Sequence, residues 1–520
     1  MRAAWPNWSA KCASSRRRRG ARRTAMRSTT NPAATLPCCT AWPNRMGLAM
    51  PDLPPLLGMD LCEAARRIRD REVSSEALTR LALQRARAVQ PTVNCFIAID
   101  EQQALQDACA ADQAVARGDT LGALHGVPLA HKDMFYRAGH ITTGGSKLLA
   151  GYRPAITATV ARRLQEAGAI WLGALHMAEF AANPIGQNAS YGDCRNAWDP
   201  ARISGGSSSG SAVAVALRAC YGSLGSDTGG SIRMPAALNG VVGLRPTYGR
   251  VSRYGILPRT WSMDAVGPLA RTARDCARLL GVIAGADPQD ATASSLPVPD
   301  YEKQLTGNIE GLRIAVPANY FQDETTFEVQ QGLARSRRVL AGLGARIVEV
   351  SVPDPAQLYQ LGNLISQVEA AAIHADLVQR TGEEYPLVLK TRMQSGAYVS
   401  AVDYLGALSA RARLAQEFCG AVFACADVLH VPVIGMAAPT LEEVSPAVPS
   451  DVFPLLARTA RCTRPFSTLG MPALAVPAGF TPQGLPIAFQ LVGRPFSEGL
   501  LLRVADAYQQ ATDWHTRAPH

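Results

Sequence analysis

The spacing of apolar residues along the chain predicts helices that alternate with short strands. Leu78, Leu81 and Val89 fall on one face of a helix that is expected to run from Ser74 to Gln90. An apolar helix over 157–168 leads into a buried strand over 169–173, and this alternation is typical of α/β proteins. The same reasoning predicts further helices at 60–69, 102–117, 357–372 and 404–423, and strands at 93–99, 312–316 and 345–350.

Two Gly-Gly-Ser turns flank an apolar segment near the middle of the chain. The turns lie within 203–211 and 226–233, and the segment between them predicts a buried helix over 212–217 and a short strand over 221–225. A Gly/Ser cluster is often a flexible linker, but this one runs directly into an apolar helix. Glycines let main-chain N–H groups approach a ligand and form an anion-binding hollow. The serines beside them are therefore candidate nucleophiles.

Lys132 lies near the end of a short apolar strand within 126–135. A single lysine is usually a surface charge, but its apolar neighbours make burial plausible here. Lowering the pKa of a lysine from about 10.4 to near 7 corresponds to roughly 4 to 5 kcal/mol of destabilised ammonium. A buried Lys132 would thus be a usable base.

Composition and charge indicate an ordinary globular protein with an unusual beginning. The 520 residues are 47% hydrophobic and 18% charged, which is enough for a substantial core. The net charge of +10 comes entirely from residues 1–50, which hold ten Lys/Arg and no acidic residue. The remaining 42 basic and 42 acidic residues balance, so no nucleic-acid partner is expected.

Residues 1–50 show no hydrophobic periodicity and no apolar core of a secretory signal, so they are expected to be disordered. Three explanations remain open for this basic leader. It is a gene-model artefact with the true start at Met46 or Met50, an organelle-targeting leader, or a basic arm.

The twelve cysteines form no CxxC pair and show no metal-ligand spacing. They are expected to be reduced thiols in a cytoplasmic protein. No apolar run reaches the roughly 18 residues that span a bilayer, so no membrane association is expected.

Several blocks of the sequence resemble the amidase signature family, in the family's order. The central blocks are 126–135, 205–216, 225–236, 240–252 and 264–269, and the last lies within 470–493. The resemblance covers about residues 55 to 510. Lys132 precedes Ser207 by 75 residues and Ser207 precedes Ser231 by 24, as expected for this family.

The resemblance implies a single large α/β domain over 51–520, with a central mixed β-sheet covered by helices. Its core motif region is 120–270, and its variable, substrate-side region is about 300–420. It also implies a Ser-Ser-Lys triad, in which Ser231 is the nucleophile, Ser207 the bridging serine and Lys132 the base. It further implies an oxyanion hole formed by the N–H groups of Thr228, Gly229, Gly230 and Ser231, and a cis peptide at Gly206–Ser207. Gly206, Asp227 and Arg233 are expected to support the site rather than to react.

The resemblance implies an amidase that hydrolyses a small-molecule amide without metal or cofactor. A homodimer is the candidate assembly. Two other functions stay open, namely the glutaminase subunit of a tRNA-dependent amidotransferase and a catalytically silent scaffold. A different hydrolase interpretation uses Gly206 to Gly210 as a nucleophile elbow, with Ser208 as nucleophile and His430 as base. Tyr359, Met393 and Tyr398, in the variable region, are candidate pocket residues but are more often packing residues.

Overall fold

A computed structural model of the chain describes residues 53–385, 387–445 and 452–519. The expectation of a disordered leader over 1–50 lies outside the described residues. The helices are α1 Leu53–Gly58, α2 Leu61–Arg69, α3 Ser75–Val93, α4 Glu101–Arg117, α5 Thr159–Glu166, α6 Ser209–Ala216, α7 Arg233–Asn239, α8 Ala273–Ile283, α9 Phe327–Gly342, α10 Pro355–Thr381, α11 Leu387–Gln394, α12 Ala401–Phe423, α13 Val452–Ala460, α14 Arg464–Thr468 and α15 Glu498–Gln510. The strands are β1 Phe96–Ile99, β2 Pro128–Lys132, β3 Ile170–Leu175, β4 Ser223–Asp227, β5 Val242–Arg245, β6 Ala265–Ala270, β7 Arg313–Pro317, β8 Arg346–Val350, β9 Val428–Pro432, β10 Ala473–Phe480 and β11 Pro486–Val492.

A mixed eight-stranded sheet organises the molecule, in the order β4-β6-β5-β10-β11-β9-β7-β8. Neighbouring strands from β4 to β9 pair antiparallel, whereas β7 runs parallel to both β9 and β8. A separate three-stranded sheet, β1-β3-β2, carries the strand that ends at Lys132. The expected α/β fold with a central mixed sheet is confirmed.

The hydrophobic core lies along the central strands. All of β11 and nearly all of β10 are buried, and α7, α9 and α15 pack against them. Strands covered by helices read as continuous apolar runs rather than as an alternation, which explains their sequence. Within the described part of the chain, no helix is long and apolar enough to cross a membrane.

Several element boundaries differ from those expected. Helix α3 continues through Pro91 to Val93 and ends where Asn94 adopts a left-handed conformation with φ 51°. The adjoining strand is consequently shortened to Phe96–Ile99. Helix α10 extends to Thr381, beyond the expected end at residue 372. Local periodicity marks a helix but does not mark its end when the cap is a single residue with positive φ.

Candidate active site

Three segments of the sequence meet around Lys132. Strand β2 ends at Lys132, the first Gly-Gly-Ser turn leads into α6, and β4 ends at Asp227 before the second turn leads into α7. Both turns are buried. The elements therefore bring together the lysine and the serines that the sequence singled out.

Lys132 is fully buried and lies between two serine hydroxyls. Its Nζ atom is 2.7 Å from Ser207 Oγ and 2.8 Å from Ser226 Oγ. Burial lowers the pKa of Lys132 to about 7, against the opposing attraction of Asp264 and Asp227. Near neutral pH a large fraction of this amine is therefore uncharged and able to accept a proton.

Backbone hydrogen bonds hold Ser207 beside the second turn. The Gly206–Ser207 peptide bond is cis, and Gly206 N–H donates to Pro184 O at 2.7 Å. Ser208 N–H donates to Ser231 O at 3.1 Å, which ties the two turns directly together. Among the described residues the hydrogen bonds include no bond between the hydroxyls of Ser207 and Ser231. Such bonds in ligand-free active sites are commonly long and tighten when a substrate binds.

The second turn presents a different set of free N–H groups from the one expected. Gly230 N–H donates to Asp227 Oδ1 at 2.8 Å, so this predicted oxyanion donor is already engaged. The N–H groups of Thr228, Gly229 and Ser231 have no acceptor among the described residues. Ser231 keeps 8% of its surface exposed and thus remains reachable. The turn therefore offers three candidate donors next to the candidate nucleophile.

Asp227 and Arg233, the expected support residues, form a fully buried ion pair with Arg233 Nε 3.0 Å from Asp227 Oδ2. Arg245 adds a second guanidinium 3.3 Å from Asp227 Oδ1. Burial alone would raise the pKa of Asp227, but the two guanidinium groups hold it well below its usual range. The charged Asp227 carboxylate also accepts from Gly230 and Ile232 N–H, so it fixes the shape of the turn.

Sequence reasoning missed several polar residues that complete this network. What they share is a buried polar side chain, and buried polar groups are almost always hydrogen-bonded. Gln490 in β11 accepts from Arg233 Nη1 at 2.9 Å, and Asp264 accepts from Thr228 Oγ1 at 2.5 Å. The missed residues are Ser226, Arg245, Asp264, Thr463, Ser467 and Gln490.

The alternative nucleophile elbow is not assembled. Ser208 Oγ lies 3.3 Å from Ser226 O, whereas His430 Nε2 lies 2.9 Å from Ser336 Oγ and its ring stacks on Phe489. His430 is therefore a packed core histidine rather than a base for Ser208.

The three candidate pocket residues of the variable region separate in the structure. Met393 is fully buried and belongs to the main core cluster, and Tyr398 is 91% exposed. Tyr359 is partly buried, with its ring centroid 5.7 Å from Arg464 Cζ. Only Tyr359 thus has a contact that leads toward the second turn.

Asp60, Cys62 and Asp275 place potential metal-ligand atoms within 4.8 Å of one another. Two of these groups, the carboxylates, already accept hydrogen bonds from N–H groups at the start of helix α2. Asp60 Oδ1 accepts from Glu63 N–H at 2.7 Å, and Asp275 Oδ1 accepts from Cys62 N–H at 3.0 Å. This cluster is explained by capping of the helix start.

Known proteins with similar sequence and structure include a peptide amidase and subunits of an amidotransferase. The A subunit of glutamyl-tRNA(Gln) amidotransferase from Chloroflexus aurantiacus is 40% identical over 468 residues, covering 86% of this chain and 95% of the relative. The native peptide amidase from Stenotrophomonas maltophilia has a TM-score of 0.78 at 30% identity, covering 89% of this chain and 98% of that one. The A subunit of glutamyl-tRNA(Gln) amidotransferase from Thermotoga maritima has a TM-score of 0.73 at 28% identity, covering 90% and 96%.

These names bear on the expectation that no nucleic acid is a partner. Two of the three relatives carry a tRNA in their names, which conflicts with an exclusion based on net charge alone. Balanced charge outside residues 1–50 argues only against a strongly basic surface. A protein that reaches tRNA through a partner needs no such surface, so the exclusion is too broad.

The sequence of this chain also matches a family model. The family described as Amidase matches residues 77–502, which include both Gly-Gly-Ser turns and the strand that ends at Lys132. The matched part exceeds four fifths of the chain. The chain therefore belongs to the amidase signature family.

Proposed function

We propose that this chain hydrolyses a carboxamide C–N bond through an acyl-enzyme on Ser231. The observation that carries the proposal is a buried lysine of pKa about 7 that contacts Ser207, on a turn hydrogen-bonded to Ser231. An uncharged lysine beside a serine is an activating base for a hydroxyl nucleophile.

Attack on the amide requires one proton to pass along the triad. Neutral Lys132 accepts the proton of Ser207, and Ser207 takes the proton of Ser231 as Ser231 Oγ bonds to the carbonyl carbon. We expect substrate binding to bring the hydroxyls of Ser207 and Ser231 into hydrogen-bond contact. The carbonyl becomes a tetrahedral oxyanion, and the positive charge resides on Lys132.

The second turn stabilises this oxyanion. The N–H groups of Thr228, Gly229 and Ser231 are the proposed donors, because Gly230 N–H is held by Asp227. One such donor contributes about 3 kcal/mol in comparable acyl-transfer sites. Collapse of the intermediate breaks the C–N bond as Ser207 gives a proton to the leaving amine and recovers one from Lys132, which becomes neutral again. Water then repeats the sequence on the ester and releases the acid.

Two candidate roles follow for this chemistry. The first is the glutaminase subunit of a tRNA-dependent amidotransferase, which is supported by 40% identity to the Chloroflexus aurantiacus protein over most of both chains. The second is a stand-alone amidase, which is supported by a higher TM-score to peptide amidase, 0.78, than to the Thermotoga maritima protein, 0.73. A silent scaffold is disfavoured because the contact between Lys132 and Ser207 is intact.

The proposal is tested by ammonia or amine release from the purified chain. The substrates are glutamine, a short aliphatic amide, an arylacetamide and an anilide, and Ser231→Ala serves as the matched inactive variant. Turnover of a non-glutamine amide by the chain alone supports a stand-alone amidase. Turnover confined to glutamine, or appearing only with a partner, supports the amidotransferase role. Turnover that survives in Ser231→Ala contradicts the mechanism.

A further inference from the structure

Arg464 places a guanidinium group directly against the second turn. It is the first residue of α14, a helix that lies more than 230 residues beyond the turn in sequence. A methyl group added at Gly229 would lie 2.9 Å from both Arg464 Cζ and Arg464 Nη2. Gly229 is two residues from Ser231, so the guanidinium lies next to the proposed reaction centre.

This guanidinium forms no ion pair with a carboxylate in the part of the chain that the structure describes. Arg464 Nε is buried without a hydrogen-bond acceptor, and none of the ion pairs there involves Arg464. The Tyr359 hydroxyl and the more distant Asp227 favour its charged form, but they do not offset its desolvation, and its pKa is lowered. Neighbouring arginines behave differently. Arg233 pairs with Asp227, and Arg461, three residues before Arg464, pairs with Asp323 and Glu324. A buried cation without a counter-ion is costly unless a ligand supplies one.

Arg464 is partly buried rather than on the outer surface. The surrounding protein desolvates the guanidinium and lowers its pKa, yet the residue keeps some accessible surface. Tyr359 packs beside it, with the ring centroid 5.7 Å from Cζ. Ser231 and Thr228 likewise retain 8% and 7% exposure. A small molecule at Ser231 therefore has a cation within its reach.

The charges around the site are also unbalanced. The side chains that interact electrostatically with one another there, among the described residues, include five guanidinium groups and three carboxylates, apart from Lys132. These are Arg233, Arg245, Arg259, Arg411 and Arg464, with Asp227, Asp264 and Glu369. Guanidinium groups outnumber carboxylates in this set. Arg233 and Arg245 bind Asp227, whereas Arg464 lies against Gly229.

We infer that Arg464 binds a carboxylate of the substrate, so that the amide hydrolysed at Ser231 is a short molecule that also carries a carboxylate. A guanidinium matches a carboxylate with two parallel N–H bonds, which gives both affinity and orientation. This inference rests on the proposed function, because it names the substrate class of the same site. Glutamine is one member of the class, and so is a simple dicarboxylic monoamide.

The first experiment compares two amides of the same shape. Succinamate carries a carboxylate where levulinamide carries a methyl ketone, and both have the same two-carbon spacer. We expect the wild type to prefer succinamate in kcat/KM, and Arg464→Gln to reduce that preference roughly tenfold or more, through KM rather than kcat. Arg464→Lys, which keeps the charge but not the planar fork, is expected to restore part of it.

Arg461→Gln is the matched control, since it removes a guanidinium on the same chain segment that is already paired with surface acids. We expect it to keep the wild-type preference for succinamate. A wild type without that preference, or an Arg464→Gln variant that loses both amides equally, would overturn the inference. The second result would indicate that Arg464 stabilises the oxyanion instead.

A binding measurement separates this inference from the hydrolysis proposal. Succinate is titrated into Ser231→Ala by calorimetry, and into the same protein carrying Arg464→Gln as well. Binding that weakens roughly tenfold or more without Arg464 supports the anion site even if no amide is turned over. Absent binding, or equal binding to both proteins, overturns it whatever the hydrolysis assays give.

Discussion

Lys132 sets the pH dependence expected of this site. Its pKa of about 7 lies below the ordinary value of 10.5, so the neutral, proton-accepting fraction grows as pH rises through 7. We expect log kcat/KM for an uncharged amide to rise by about one unit per pH unit below this pKa and to level off above it. Initial rates measured from mildly acidic to mildly alkaline pH provide the check.

Asp133 is the necessary control for that experiment. Burial raises the pKa of its carboxyl to about 7 as well, although it accepts hydrogen bonds from Thr143 rather than from the triad. Asp133→Asn keeps an oxygen acceptor for Thr143 N–H. The rise of kcat/KM with pH should persist in this variant. If the rise disappeared in Asp133→Asn, the titrating group would be the Asp133 carboxyl rather than Lys132.

Ser226 is the second hydroxyl on Lys132, and we expect it to position the amine rather than to transfer the proton. Ser226→Ala removes a contact of 2.8 Å and leaves the Ser207 contact of 2.7 Å in place. We expect kcat to fall about tenfold, the effect of one lost hydrogen bond of roughly 1 to 1.5 kcal/mol.

The control for Ser226 is Ser223→Ala, the same change on the same buried strand, where the hydroxyl contacts Leu224 O instead. That variant should retain wild-type kcat. Equal losses in the two variants would mean that the strand, and not the contact with Lys132, is responsible.

At the scale of elements, the second turn requires glycine at position 230, because a side chain does not fit there. This residue has φ 131°, and a Cβ there would lie 2.3 Å from Thr463 Oγ1. Thr463 in turn donates to Gly229 O at 2.7 Å, so it cannot move away freely. We expect Gly230→Ala to lower the free energy of unfolding by about 2 to 4 kcal/mol, measured by urea denaturation.

Gly281 in α8 offers the opposite case for the same substitution. A Cβ there meets nothing within 4 Å, and the residue lies inside a helix without positive φ. Gly281→Ala should raise the free energy of unfolding by roughly 0.5 to 1 kcal/mol. If both alanines destabilised alike, strain at the turn would not explain the loss at Gly230.

The sequence pattern predicted the presence of the helices and strands better than it predicted where they end and which strands pair. The apolar run 212–217 falls almost entirely within the buried helix α6, as its residue types require, and the strand expected over 221–225 is present as β4 over Ser223–Asp227. The extension of α3 through Pro91 depends on Asn94, whose left-handed conformation no periodicity records. The pairing of β5 with β10 joins residues more than 220 positions apart, and no local pattern encodes it.

Across the whole molecule, the candidate site combines residues that lie far apart in the sequence. The motif blocks pointed to Lys132, Ser207 and Ser231 because the spacing of these residues matches a family pattern. The partners of Arg233 were not visible in this way, since Ser467 and Gln490 lie 234 and 257 residues away. Each satisfies one donor of a buried guanidinium, and such matching is a property of the folded structure rather than of any segment.

Gln490 tests how far this long-range assembly matters. Its Oε1 accepts from Arg233, and its Nε2 donates to Pro432 O and Cys462 O. Gln490→Leu keeps the volume but leaves these groups unpaired in the core. We expect the free energy of unfolding to fall by about 1 to 3 kcal/mol, and kcat of the folded protein to fall with it, because Arg233 holds Asp227 and the turn.

Gln509 separates the loss of stability from the loss of activity. It is also a buried glutamine whose amide oxygen and nitrogen are both hydrogen-bonded, since Oε1 accepts from Ala273 N–H and Nε2 donates to Arg271 O. Among the described residues, neither bond involves the Arg233 network. Gln509→Leu should cost similar stability and leave kcat of the folded protein near wild type. If it lowered kcat as much as Gln490→Leu, general loosening of the core would account for both variants. Loss of kcat in Gln490→Leu alone would place strand β11 among the elements that shape the turn before Ser231.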